Sequence, residues 1–247
     1  MNQRTKWSAQ LFVVLLCALA LKRYYSTASV DELGWILGPT TWLTQLLSGR
    51  TFLFESHAGY MSSDHTFLIA ASCAGVNFLI TSFLLLALKQ LWNQRWGSFS
   101  WRFIPIAALS AYVSTLIANT VRICIALELQ RHPLNIGLSG NQVHRLEGIV
   151  VYFAFLIFLF LVTEKPRADL NGLIKLSIFP LVIYYATTLG IPLANGSFHR
   201  AEFWEHSLFV LAIPLLIMLP VLAWRVLMNW RASEVSITAA QECKTQF

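Results

Sequence analysis

The chain has 247 residues, 56% of them apolar and only 12% charged. A soluble domain of this size carries about 25% charged residues, so the shortfall excludes an ordinary globular core and points to a protein that crosses a membrane several times. The formal charge of +6, from 18 Lys and Arg against 12 Asp and Glu, is what basic membrane loops supply, and it calls for no nucleic-acid partner.

A membrane-spanning helix needs about 20 largely apolar residues. The first candidate, 7–21, follows Arg4 and Lys6 in the manner of a secretory signal. No small-residue cleavage site comes after it; Lys22, Arg23, Tyr24 and Tyr25 do, so a retained helix is expected. Cys17 does not suit a lipidation box, because Leu16 stands where a small residue belongs. The stretch 33–48 is apolar but broken by Gly34, Gly38 and Pro39, which predicts an interfacial or re-entrant helix. Residues 49–65 carry short β-like runs around a glycine and lead into the next span. Further spans are expected at 66–91, 103–128, 146–163, 173–194 and 207–230. The sum is an all-α polytopic membrane protein, one membrane domain over 1–247, with about six transmembrane helices in a lipid bilayer plus the helix 33–48. No internal repeat or low-complexity tract is visible.

Loop charges orient such a bundle, since Lys and Arg concentrate on the cytoplasmic side. Placing the amino terminus, 89–102, 164–175 and the end of the chain from Arg225 inside puts 11 Lys and Arg there. Six remain outside (Lys22, Arg23, Arg50, Arg131, Arg145 and Arg200), and Arg122 falls within a span. The expected setting is the cytoplasmic membrane, with both termini cytoplasmic.

Arg122 is the residue that hydrophobicity does not explain. It lies about eight residues from the outer end of its span, roughly 10–12 Å deep, where a charge costs about 2.5–3.5 kcal/mol. Asn119 shares its face. A structural reading has the arginine snorkelling to the headgroups or fixing helix packing through Asn119. Cys73 sits in the small-residue run Ala70–Gly75, two turns below the outer end of its span, where a buried thiol is usually an inert packing group. His144 stands at the outer entrance of the span 146–163. Taken together, the three residues come from three helices and meet the same membrane face. A thiol needs a base or a cation to become a thiolate, a histidine can take and return the proton, and an arginine can hold an oxyanion in a medium with few other partners. These are the parts of an acyl-transfer site.

The order of motifs resembles the exosortase/archaeosortase family of integral-membrane cysteine transpeptidases. The likeness rests on Cys73-Ala74-Gly75, Asn119-x-x-Arg122 and His144-x-x-x-Gly148, with the lead-in Pro39-Thr40-Thr41-Trp42-Leu43, and spans about 35–163. It implies that Cys73 is the nucleophile, Arg122 the stabilising cation and His144 the third catalytic member, supported by Gly75, Asn119 and Gly148. It also implies exported protein substrates with a carboxy-terminal sorting signal, cleaved and passed to an acceptor nucleophile, with no cofactor. The common form carries serine where this chain has Ala74, so any hydrogen bond from that hydroxyl is missing. Outer Arg131, Arg145 and Arg200 are candidates to pair with a glutamate of the sorting motif, or else simply balance Glu128, Glu202 and Glu205.

The competing reading is a non-enzymatic transporter, or an assembly subunit of a polysaccharide export system. Transporters tend to carry ionisable residues at the midplane and repeated halves. Other chemistries lack their motifs: there is no HExxH and no GxSxG. His57, His65, His132, His199 and His206 are scattered without a metal-ligand spacing.

Overall fold

The computed structural model describes residues 3–94, 100–132, 137, 139–164, 170–194, 203–220, 222–224 and 227. Helices α1 (Gln3–Thr27) and α2 (Gly34–Ser48) are followed by strands β1 (Phe52–Glu55), β2 (Gly59–Ser62) and β3 (Leu68–Ile69). A 3-10 turn, Ala71–Cys73, opens into α3 (Val76–Gln94), then α4 (Phe103–Arg131) and α5 (Gly140–Thr163). Helix α6 (Leu170–Tyr185) passes through a π-helical turn, Ala186–Gly190, into α7 (Ile191–Ala194). The apolar helix Phe203–Trp224 is α8.

Five helices are long and apolar enough to cross a membrane: Arg4–Thr27, Ala71–Asn93, Phe103–Arg131, Gln142–Thr163 and Phe203–Trp224. The expected span 173–194 falls on α6 and α7, whose apolar stretch Ile178–Leu193 is shorter. Burial tells which helix is central. In α3, 67% of the apolar window is buried, against 17% in α1 and 24% in α8. The outer helices instead expose Phe12, Leu19, Leu208 and Leu216, a surface that water would penalise and lipid tails accept.

Two apolar clusters flank α3. One joins it to α1, α2 and α4 through Val14, Leu33, Ile36, Leu37 and Leu91; the other joins it to α5, α6 and α8 through Leu85, Phe153, Leu156 and Val210. Polar bonds fix the helix register at the end opposite Cys73. Trp7 donates to the Leu91 carbonyl at 3.2 Å and Gln10 to that of Ser100 at 2.9 Å. Buried Lys89 pairs with Glu164 at 3.1 Å and donates to Thr163 at 2.8 Å.

Helix α2 runs alongside α4 from the level of Tyr112 towards its carboxyl end. Its first turn meets Tyr112, whose hydroxyl donates to the Trp35 carbonyl at 2.7 Å while the two rings stack at 5.8 Å. Its last residues, Leu47 and Ser48, line a cavity together with Val121, Cys124 and Arg131. Helix α2 thus lies along α4 rather than crossing it at a single level.

The chain is mainly helical as expected, and a small sheet, antiparallel in the order β1–β2–β3, begins in the stretch 49–65 where short β-like runs were expected. Phe52 pairs with Ser62, Glu55 with Gly59 and Tyr60 with Ile69. Gly59 has φ 132°, and a side chain there would collide with the Ile69 carbonyl. In the β2–β3 loop, Asp64 accepts from Ser62 at 2.6 Å and from the Thr66 hydroxyl at 2.8 Å. Those hydrogen bonds push its carboxyl down to about 2. Gln130 donates to the Thr66 carbonyl at 2.9 Å and ties the sheet to the end of α4.

Candidate active site

Cys73 closes the 3-10 turn, its amide donating to the Ala70 carbonyl at 2.8 Å. It therefore stands at the mouth of α3, not two turns inside it, because residues 66–70 are loop and strand rather than helix. Gly75 has φ 69°, and a Cβ there would lie 3.2 Å from Asn119 Cγ and 3.3 Å from Thr115 Cγ2. Glycine is what lets the chain turn into α3 while α4 comes this close.

Asn119 is fully buried and donates through Nδ2 to the Cys73 carbonyl, which fixes the backbone that carries the thiol. Its Oδ1 accepts from the Tyr152 hydroxyl at 2.8 Å. That hydroxyl in turn accepts from Arg122 Nη1 at 3.3 Å, and the guanidinium lies 5.5 Å from the Tyr152 ring centroid. Arg122 is 9% exposed, and these hydrogen-bonding partners lie on α5. The guanidinium is held within the bundle rather than snorkelling outward. Gly148 leaves the space it needs, since a Cβ there would approach Arg122 Nε to 3.2 Å.

The second nitrogen of the fork, Arg122 Nη2, lies 2.7 Å from His144 Nε2. An arginine stays protonated and can only donate, so Nε2 is the acceptor and the neutral imidazole carries its proton on Nδ1. Nδ1 lies 3.4 Å from Glu147 Oε2, one turn on along α5. Glu147 is 4% exposed in its side chain, and neither carboxylate oxygen makes a hydrogen bond among the described residues. The buried cation and buried carboxylate thus bracket one imidazole. His144 itself is half-exposed, and it sits in the second turn of α5 because that helix starts at Gly140, capped reciprocally by Ser139 and Gln142.

A single hydrogen-bonded chain therefore runs from the Cys73 carbonyl through Asn119, Tyr152 and Arg122 to His144. The Cys73 thiol makes no hydrogen bond to Arg122 or His144 in this arrangement. Two members of the cluster escaped the sequence reading. Glu147 carried a signal, a carboxylate at the start of an apolar span and one turn from His144. Tyr152 carried none, since an aromatic in an apolar helix is ordinary.

The outer arginines separate. Arg131 pairs with Glu128 at 3.6 Å, as the charge-balancing reading expects. Arg145 points into a cavity beside the cluster. Arg200 lies outside the described residues.

Fold and site define a helical membrane protein with an ionisable cluster held between its apolar helices. Set against known proteins, the chain matches no family model, no curated protein and no solved structure.

Proposed function

We propose that this protein is an intramembrane cysteine peptidase or transpeptidase of the exosortase/archaeosortase type, working at the outer face of the cytoplasmic membrane. Its substrates are exported proteins bearing a carboxy-terminal sorting signal, and both its termini are cytoplasmic. The observation that carries this reading is the hydrogen-bonded chain from the Cys73 carbonyl to His144, which links the three motif positions across a helix mouth and two helices.

In the cycle, substrate binding moves Arg122 Nη2 off His144 Nε2 and draws the Cys73 thiol to that freed nitrogen, which accepts its proton as the sulfur attacks the scissile carbonyl. Arg122 faces the oxyanion of the tetrahedral intermediate, where a buried cation acts more strongly than in water. The peptide C–N bond breaks, the departing amine takes the proton from His144, and a thioester remains on Cys73. An acceptor amine or water then attacks the thioester, gives a proton to His144 and expels the thiolate, which recovers that proton. Glu147 positions the imidazole by receiving its Nδ1 proton as a hydrogen bond when the site tightens around substrate. A buried cation and a buried carboxylate around an imidazole towards one end of the bundle suit a reaction; a transport pathway would place such groups at mid-depth.

The test is reconstitution of the full chain with a protein ending in a sorting signal, read by intact mass. Loss of the carboxy-terminal fragment, with a mass gained by the remainder or replaced by water, is expected from the wild type. Cys73→Ala should give none, although it inserts normally. Processing at wild-type rate by Cys73→Ala would refute the proposal.

A further inference from the structure

A cavity of about 430 Å³ opens between α1, α3, α5, α7 and α8, beside the cluster but on another side of α5. Its charged or titratable lining is entirely basic: Lys22, Arg145 and His206. Lys22 donates to Asn77 at 2.7 Å and has two further N–H groups to give. No carboxylate lines the cavity among the described residues. The acidic neighbour of His206 along α8, Glu205, is engaged by Gln142 at 2.7 Å, and Glu147 is turned to the His144 side. Two basic side chains thus face one partly open space that no carboxylate lines among the described residues, an arrangement that favours the entry of an anion.

The remaining lining tells what kind of anion. The π-helical turn brings Thr187 and Thr188 to the cavity, as such turns often do at binding sites. Ile80, Ile191 and Phe203 form an apolar wall. Next to it α7 and α8 expose Leu193 and Leu208, the surface that lipid tails cover. An inorganic anion has no use for an apolar wall, and a peptide carboxylate would not need two cations. An amphiphile uses both halves. Arginine grips phosphate oxygens bidentately, and basic pockets between membrane helices hold lipid headgroups.

We infer that this cavity is a binding site for the phosphate of an anionic phospholipid headgroup, with the glycerol and upper acyl segments against Ile80, Ile191 and Phe203. The inference rests on the membrane fold and the cavity alone, and it stands or falls separately from the peptidase reading.

The test is native mass spectrometry of the full chain, released from nanodiscs containing phosphatidylglycerol or phosphatidylcholine. Wild type should retain phosphatidylglycerol selectively. Lys22→Gln and Arg145→Gln should each weaken retention about fivefold, the loss of roughly 1 kcal/mol per cation. Arg145→Lys keeps the charge and should restore most of it, which separates a lost contact from a misfolded variant. Arg131→Gln, which alters a cation outside the cavity, should change nothing. Equal retention of the two lipids, or full retention by the double variant Lys22→Gln/Arg145→Gln, would overturn the site. Displacement of the lipid by millimolar inorganic phosphate would show that a free anion suffices, and displacement by an acidic peptide would assign the cavity to a protein partner; either overturns the lipid assignment.

Discussion

Arg122 makes two directed contacts that only a planar fork can make at once, one to Tyr152 and one to His144. A lysine keeps the charge but not the second arm or the reach. Arg122→Lys is therefore expected to reduce processing severely at every pH while the protein still inserts; wild-type turnover would remove Arg122 from the chemistry. The carboxylate of Glu147 can be tested apart from its volume. Glu147→Gln keeps an oxygen that can accept from His144 Nδ1, whereas Glu147→Ala keeps none. We expect the glutamine variant to retain much of the processing rate and the alanine variant to lose about 10- to 100-fold. Equal rates in the two would leave Glu147 with a packing role only. Glycines at the site differ in the same graded way. Gly75→Ala meets both a left-handed backbone and a tight contact with Asn119, whereas Gly148→Ala meets only a flexible arginine. The first should destabilise by about 1–2 kcal/mol, and the second much less, as read by thermal unfolding in detergent.

Among the elements, what was legible in the sequence was whatever a periodic apolar run announces. Helices α1, α4 and α5 and the broken helix α2 all fall where hydrophobicity places them. The misjudged boundaries have physical causes. Strand β3 and the turn before Cys73 were absorbed into a span, because Phe67-Leu68-Ile69-Ala70-Ala71 is as apolar as a helix and a short run shows no period. Hydrophobicity sets the start of α5 at the apolar edge, residue 146, although Ser139-x-x-Gln142 is a readable capping box that starts the helix at Gly140. That cap positions His144, so Ser139→Ala should cost about 1 kcal/mol and raise amide exchange over 140–143. Site geometry was legible only as motif order; the bond through Tyr152 depends on how α4 and α5 pack, which no single-helix pattern encodes. In the β2–β3 loop, Asp64 gives a pH signature with a definite sign. Its carboxyl is depressed from 3.8 to about 2, so the loop it ties is held at neutral pH and loosens as pH falls through about 2. Amide exchange at Thr66, after correction for intrinsic rates, should rise in that acid range, and Asp64→Asn should show the loosened loop already at pH 7.

At the scale of the molecule, a well-buried α3 surrounded by helices that keep apolar side chains outward gives the bundle its inside and its lipid face. The polar groups then divide between its two ends. Trp7, Gln10, Lys89 and Glu164 close one end, while Cys73, Arg122, His144 and Glu147 gather towards the other. That division yields a topological expectation: reporter fusions at Ala58 and Gly137 should report the exterior, and fusions at Gln94 and Glu164 the cytoplasm. Opposite sides for Ala58 and Gly137 would contradict a shared outer site. The measurement that bears most directly on the proposed chemistry is a covalent one. Acid-quenched protein caught during turnover of a sorting-signal substrate should carry the amino-terminal fragment as a thioester on Cys73, released by hydroxylamine and absent from Cys73→Ala. Substrate conversion at wild-type rate with no adduct on Cys73, or with the Cys73→Ala protein, would contradict the account.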